Sequence, residues 1–309
     1  MTKEDSKLMQ GVAILIMIFF HQFGSYSGSD TLRHLALANN PVPLYTLLSG
    51  YGFYKVHMRG HDRHYATRCL RLYLVMWITL TVFITAESIF CDYPKLTALQ
   101  LFMNYTGVQS YIYIPAWFVL PYCLLALAYP VLMRWAARRP WYEWLGISYA
   151  IYLIMTQLTH LMLFQQNYFQ EFYLLFSYML GAAMAKYDVV EKFRERLDNK
   201  TVLLWLLLAG IITIRYFVST GAVIAFYYAA ITILVTTMHK NAVIKKALTE
   251  LGTMCVWMWM IHGWINTFFM FETDMPFKPL IEFILVTAVS WILARIFSFA
   301  TRPLFKFFK

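Results

Sequence analysis

Apolar residues recur along this chain in long runs separated by short polar turns. Ten such segments can be drawn, at about 8–24, 37–56, 70–91, 116–134, 142–162, 170–187, 201–218, 221–238, 251–270 and 278–299. A straight membrane span needs about 20 apolar residues, and most of the segments come close. The pattern predicts an all-α, polytopic transmembrane helix bundle of about ten spans. Segments two and eight are the least regular. Pro41 and Pro43 interrupt the second and leave roughly fourteen clean residues, so that helix is expected to start unwound or inside a protein-lined cavity. The outer connection 92–115 carries YTGVQSYIYIP and is expected to lie along the interface. No internal repeat is visible and no connection is long enough for a soluble domain. Residues 1–309 therefore read as a single integral-membrane domain with no appended soluble domain.

Charge gives this bundle a direction. With the N-terminus in the cytoplasm, the turns HMRGHDRHYATR, RWAARRP, KYDVVEKFRERLDNK and HKNAVIKKALTE and the tail TRPLFKFFK share the cytoplasmic side. Of the 26 Lys and Arg residues only Arg33, Lys95, Arg215 and Lys278 then lie outside. That asymmetry satisfies the positive-inside rule and expects both termini in the cytoplasm. Composition agrees, with 60% hydrophobic and 14% charged residues, against about 25% charged in soluble proteins. The net charge of +10 does not point to nucleic acid, because the basic residues sit between apolar runs and form no single stripe. Cys69, Cys91, Cys123 and Cys255 form no CxxC and no His/Cys cluster, so they are expected to pack as small apolar residues, and no metal is expected. The first apolar run resembles a signal peptide, but Glu4 and Asp5 precede it and His21 and Gln22 interrupt its end. It is expected to be retained as a span.

Within that first run, KLMQGVAILIMIFFHQFG, the residues Lys7, Gln10, Ile14, Met17 and His21 recur at intervals of three and four and share one helix face. Gln10 and His21 lie about 16 Å apart along the axis at 1.5 Å per residue. Ionisable groups inside spans cost roughly 2.5–3.5 kcal/mol at a helix centre and point to function. His21, Glu87, His160, His262 and Glu282 are such groups, with Arg215 near an outer end. Glu87 and Glu282 are placed to snorkel into the interface, and His160 alone reads equally as a hydrogen-bonded packing residue. Arg68 and Arg71, in RCLR, share a helix face and present paired forks for a phosphate. Arg59, Arg63 and His64 just before them make this the densest basic patch. An isolated RxxR of this kind also serves as a positive-inside anchor on anionic lipid. LLSGYGFYK places Ser49, Gly50, Tyr51 and Gly52 in the second segment, where small residues favour close helix packing and a hydroxyl and a phenol stand nearby. Trp117, Trp257 and Trp259 are ordinary candidates for packing or belt aromatics.

Taken in order, these stretches resemble the acyltransferase 3 family of integral-membrane, acyl-CoA-dependent enzymes. QGVAILIMIFFH is similar to that family's arginine, ten residues, histidine pattern, with His21 in the histidine place. VPLYTLLSGYGFYK resembles its second-helix PLFFFLSGYLL run, and RCLRLY its RxxR. AWFVLPYCLLALAYPVL, FSYMLGAAMAKY and LGTMCVWMWMIHGWI resemble three later helices of the family, and together the matches cover nearly the whole chain. Gln10 stands where the family usually has arginine, Cys255 where it often has serine, and Trp259 where it often has tyrosine. Lys7, one turn before Gln10, offers a cation on the same face.

The resemblance implies an O-acyltransferase that moves an acetyl- or succinyl-class group from acyl-CoA to a hydroxyl of a cell-surface or exported glycan or glycolipid. It also implies a bacterial cytoplasmic membrane as the location. Acyl-CoA is expected as a co-substrate, with no permanently bound cofactor. Its anionic nucleotide end suits Arg68 and Arg71, and its thin, nearly uncharged pantetheine arm suits the seam from Lys7 and Gln10 to His21. His21 is expected to act either as general base on the acceptor hydroxyl or as acyl carrier. Ser49 and Tyr51 are expected to serve the oxyanion or orient the acceptor, with Trp117 and His262 as pocket residues. No carboxylate in the sequence is an obvious partner for His21. The competing reading is a non-enzymatic exporter of a carbohydrate or lipid-linked sugar, which calls for polar residues through several spans; few span centres here carry charge. Oligomeric state is not written in the sequence.

Overall fold

Lipid leaves a backbone only its own hydrogen-bonding groups, so apolar runs of this length fold as helices. The computed structural model describes all residues except 25–27, 61–64, 91–95, 110–116, 161–169, 198–199, 219–220, 269–277 and 307–309, and it omits a few side chains beside these stretches. In chain order the helices are α1 (Lys3–Gly24), α2 (Asp30–Ala38), α3 (Val42–Met58), α4 (Tyr65–Phe90), α5 (Ala98–Thr106), α6 (Val119–Arg138) and α7 (Trp141–His160). They continue as α8 (Gln170–Lys186), α9 (Val189–Leu197), α10 (Thr201–Phe217), α11 (Ile224–Thr237), α12 (Ala242–Phe268), α13 (Lys278–Ala300) and α14 (Arg302–Lys306). No strand occurs among the described residues. By length and composition α1, α4, α6 and α13 can cross a membrane, and α8, α10 and α11 are shorter apolar helices.

Each of the ten apolar segments overlaps one of the longer helices. The departures are at polar ends, where an apolar-run criterion is blind. α12 begins at Ala242, well before the apolar run, because AVIKKALTE is a good helix former whose charges face outward. α9 is an amphipathic helix inside what reads as a basic turn, with Val190 buried and Arg194 free to reach α1. The interrupted second segment is helical from Val42 onward, and a separate helix, α2, runs into its start. α2 ends at Ala38, Asn39 bonds back to Leu35 and Ala36, and α3 starts at Val42 with Pro43 in its first turn, where a missing N–H costs nothing. Arg215 closes that break from α10. It is only 3% exposed, and its Nε donates to the Ala38 carbonyl at 2.7 Å and its Nη1 to Val218 at 2.9 Å. Within the outer connection 92–115, the described part contains α5, capped by Thr97 and Gln100 at its start and by left-handed Gly107 at its end.

Two helix pairs form the most extensive contacts, α1 with α12 and α3 with α8. Both are brought together by glycine. A Cβ on Gly11 would overlap the Leu248 carbonyl oxygen, and one on Gly252 would overlap that of Lys7. Gly50 meets the Tyr178 carbonyl and Gly181 that of Leu47 in the same reciprocal way, whereas Gly52 faces open space. Backbones this close gain dispersion and Cα–H···O contacts that bulkier residues would prevent. At the end of the bundle from which α1 starts, ion pairs join the helix termini: Glu4 with Lys245, Asp5 with Arg194, Lys55 with Asp188, and Glu250 with Arg295. Lys186 adds three donations to the carbonyls that end α6, the shortest to Ala136 at 2.7 Å.

Candidate active site

Helical periodicity aims one face of α1, α3, α4 and α12 at a common space. Lys7 and Gln10 from α1, Tyr45 and Ser49 from α3, Arg68 and Arg71 from α4, and Cys255 and Trp259 from α12 line a cavity of about 600 Å³, with Phe118 and Tyr122 beside them. The volume falls in the range of small-molecule sites, roughly 300–1,000 Å³. Three of the lining side chains are cations, and no Asp or Glu lines the cavity among the described residues. It is therefore an electropositive chamber suited to an anion. Arg68 lies over the Phe53 ring at 5.0 Å, which orients its guanidinium without consuming its hydrogen bonds. Lys7 Nζ is 3.4 Å from the Gly252 carbonyl, a long hydrogen bond that ties it to the α12 crossing.

Gln10 has a specific neighbour. The Cys255 thiol lies 3.9 Å from Gln10 Oε1 and donates to it, so the amide oxygen is occupied and the amide hydrogens are the part of Gln10 left for a ligand. Two of the three positions that depart from the pattern the sequence resembles are thus in contact with each other.

His21 and His262 lie further along the same two helices. Gly11 meets Gly252, and ten residues on along each helix His21 meets His262, which makes α1 and α12 parallel and in register. The imidazole centroids are 5.1 Å apart with the rings inclined at 47°. His262 is fully buried, and its Nδ1 donates to the Trp259 carbonyl at 2.8 Å and to Met258 at 3.2 Å. Carbonyls only accept, so the Nε2 of His262 carries the lone pair, and it has no hydrogen-bond partner among the described residues. His21 is half-buried and is not among the residues lining the cavity. Between Gln10 and His21 the seam is closed, because Ile14 and Met17 are packed into the core.

One of the two outer carboxylates, Glu282, differs from the expectation that it snorkels. Glu282 is 6% exposed and accepts a 2.6 Å hydrogen bond from Gln22 Nε2, so it secures α13 to the residue after His21. Glu87 is half-buried, with its Oε2 covered, and leaves its expectation standing. Of the expected site residues, Lys7, Gln10, Ser49, Arg68 and Arg71 are brought together in the cavity, and His21 pairs with His262. Trp117 is half-buried against Phe118, which lines the cavity, and is not itself in the wall. Tyr51 is placed elsewhere. Its hydroxyl donates to Glu191 of α9 at 3.2 Å, away from the cavity, because two residues along a helix turn it about 200° from Ser49. Tyr45, one turn before Ser49, supplies the cavity's phenol on that helix, and its hydroxyl has no partner among the described residues. The i, i+4 spacing from Ser49 back to Tyr45 was the available signal for it. Arg63, His64, Cys91 and the side chain of His160 lie outside the described residues.

No curated protein and no solved structure matches the chain. The sequence model of the acyltransferase 3 family, described as an acyltransferase domain, matches residues 4–299. That span takes in both glycine-locked pairs, the electropositive cavity and the histidine pair, and the chain, an all-helical integral-membrane protein, belongs to the acyltransferase 3 family.

Proposed function

We propose that the protein is a ten-span O-acyltransferase with both termini in the cytoplasm of a bacterial cell. It moves an acetyl- or succinyl-class group from acyl-CoA to a hydroxyl of a cell-surface or exported glycan or glycolipid. The observation that carries this reading is the division of α1 and α12 into a cationic chamber at one end and a histidine pair at the other. The chamber lies towards the end of the bundle where the ion-paired, Lys- and Arg-rich helix termini gather, and in this reading that end faces the cytoplasm and the anionic nucleotide. Lys7, Arg68 and Arg71 hold its phosphates by charge-assisted hydrogen bonds, and the Gln10 amide donates to the start of the pantetheine arm.

The arm then follows α1 towards His21. Met17 closes that path in the structure, and methionine is the side chain of the seam best able to change rotamer and admit a thin chain. At the far end His21 acts as general base. It takes the proton of the acceptor hydroxyl as that oxygen attacks the thioester carbonyl; the carbon–sulfur bond then breaks, and the proton passes to the departing thiolate. The hydroxyls of Ser49 and Tyr45 stand on the cavity wall, apart from His21, and donate to the polar groups of the arm. No metal or resident cofactor enters the scheme.

The test is mass spectrometry of surface glycans from cells with the protein, without it, and with His21→Ala at matched membrane expression. The acyl increment is expected in the first sample only. An increment that survives His21→Ala rejects the base assignment, and identical glycans with and without the protein reject a glycan as acceptor.

A further inference from the structure

General bases of this kind are usually held by a carboxylate, and His21 has none in contact among the described residues. We infer that His262 takes that place: it is the positioning residue that accepts a hydrogen bond from the His21 ring and fixes which nitrogen of His21 faces the substrate. The inference rests on the proposal that His21 is the base and adds to it the group that orients it.

Three observations lead there. First, the tautomer of His262 is decided by its own helix. Its Nδ1 hydrogen is spent on the carbonyls of Trp259 and Met258, so Nε2 can only accept. Second, that acceptor is buried with no partner among the described residues, an arrangement that is costly unless something satisfies it. Third, the ring facing it is His21. An N–H···N bond of about 2.9 Å between two imidazoles places the ring centres about 5 Å apart, and they are 5.1 Å apart here. For this bond the half-buried His21 ring must turn so that one of its N–H groups meets His262 Nε2, which is unpartnered among the described residues.

The consequence is a division of labour within the pair. With one His21 nitrogen donating to His262, the other must carry the lone pair, and it is the one presented to the acceptor hydroxyl. When His21 takes the acceptor's proton, the charge that forms on its ring lies next to an acceptor nitrogen already aimed at it, so no reorganisation is needed at that moment. His262 never touches the substrate and transfers no proton. Trp259 links this device to the cavity, since its side chain lines the wall and its carbonyl holds the His262 ring.

The experiment replaces His262 by Phe, which keeps a ring but offers no acceptor, and by Gln, whose amide oxygen reaches near the Nε2 position. His262→Leu serves in place of Phe where Phe does not accumulate. Thiol release from acetyl-CoA and succinyl-CoA is followed in membranes that hold the native acceptor, alongside the detergent melting temperature. His262→Phe is expected to lower kcat about a hundredfold with KM for the acyl-CoA unchanged, and His262→Gln to stay within about tenfold of the parent. Undiminished kcat in the Phe or Leu variant overturns the inference. So does a Gln variant as slow as the Phe variant, or a loss that appears in KM and melting temperature instead of kcat. His21→Ala separates the two claims: if it leaves transfer intact, the base assignment fails first, whereas if it abolishes transfer while His262→Phe does not, only the role of His262 fails.

Discussion

The pairs α1/α12 and α3/α8 are built by one device and put to different uses. In each, two glycines sit reciprocally against carbonyl oxygens of the partner helix, so the backbones touch. On α3/α8 the residues around the crossing are apolar and aromatic, with Phe53 and Tyr178 rings 6.0 Å apart, and the pair's own charges at its end, Lys55 and Asp188, neutralise each other at 2.6 Å. On α1/α12 the crossing is flanked on one side by Gln10 and Cys255 in a cationic chamber and, ten residues on, by the two histidines. The close glycine crossing is thus scaffolding common to both. What sets α1/α12 apart is that it carries Lys7, Gln10 and Cys255 of the chamber and the histidine pair together, whereas α3/α8 lends the chamber only the wall at Tyr45 and Ser49.

The comparison breaks most sharply at the glycines. Gly252→Ala and Gly181→Ala are each expected to cost about 1–3 kcal/mol by forcing helices apart, read as similar falls in melting temperature. Only Gly252→Ala displaces His262 from His21, and its transfer rate is expected to fall about a hundredfold at matched expression. Equal losses of rate in both variants would show that the two pairs are not functionally distinct. Next in size, Arg68→Gln with Arg71→Gln is expected to raise KM for acyl-CoA by roughly ten- to a hundredfold, since each removes a charge-assisted bond, while kcat and melting temperature hold. Arg215→Met leaves the Ala38 carbonyl without its donor and is expected to cost about 2 kcal/mol of stability. Transfer per folded molecule should be unaffected, because Arg215 serves the α2–α3 break and neither pair's chemistry.

The smallest effect belongs to the neutralised pair. The hydrogen bond from Lys55 holds the Asp188 carboxyl below its ordinary value of 3.8. Its contribution is therefore present above that value and is lost as pH falls through the lower folded one. Asp188→Asn is expected to cost under about 1 kcal/mol at neutral pH and to remove that acid dependence, measured by melting between neutral and acid pH. Asparagine keeps the left-handed backbone of this position, φ 49°, so the substitution tests charge alone.

Much of this was legible without coordinates, and the exceptions have a common cause. Periodicity placed Lys7, Gln10 and His21 on one face of α1, and RxxR spacing paired Arg68 with Arg71, because those relations lie within a single helix. Tyr51 was expected beside Ser49 because the two are near in sequence, yet a helix turns them to different faces, and Tyr45 holds the position instead. Glu282 was expected to snorkel because it lies near a helix end. The partner that keeps it buried, Gln22, is on a helix that begins more than 250 residues earlier, and no local pattern reports such a distance.

By itself the sequence determined that this is an all-helical membrane protein of the acyltransferase 3 family, where its apolar segments lie, and that His21 is inside one of them. Those are consequences of hydropathy, period and short motifs, all of which act along the chain. Only the tertiary structure decided that Gln10 meets Cys255, that the seam between Gln10 and His21 is closed by Ile14 and Met17, and that His21 faces His262. Each depends on how α1 and α12 approach and in what register. That is settled by glycine backbones fitting against one another across the interface, and it has no signature in either segment read alone.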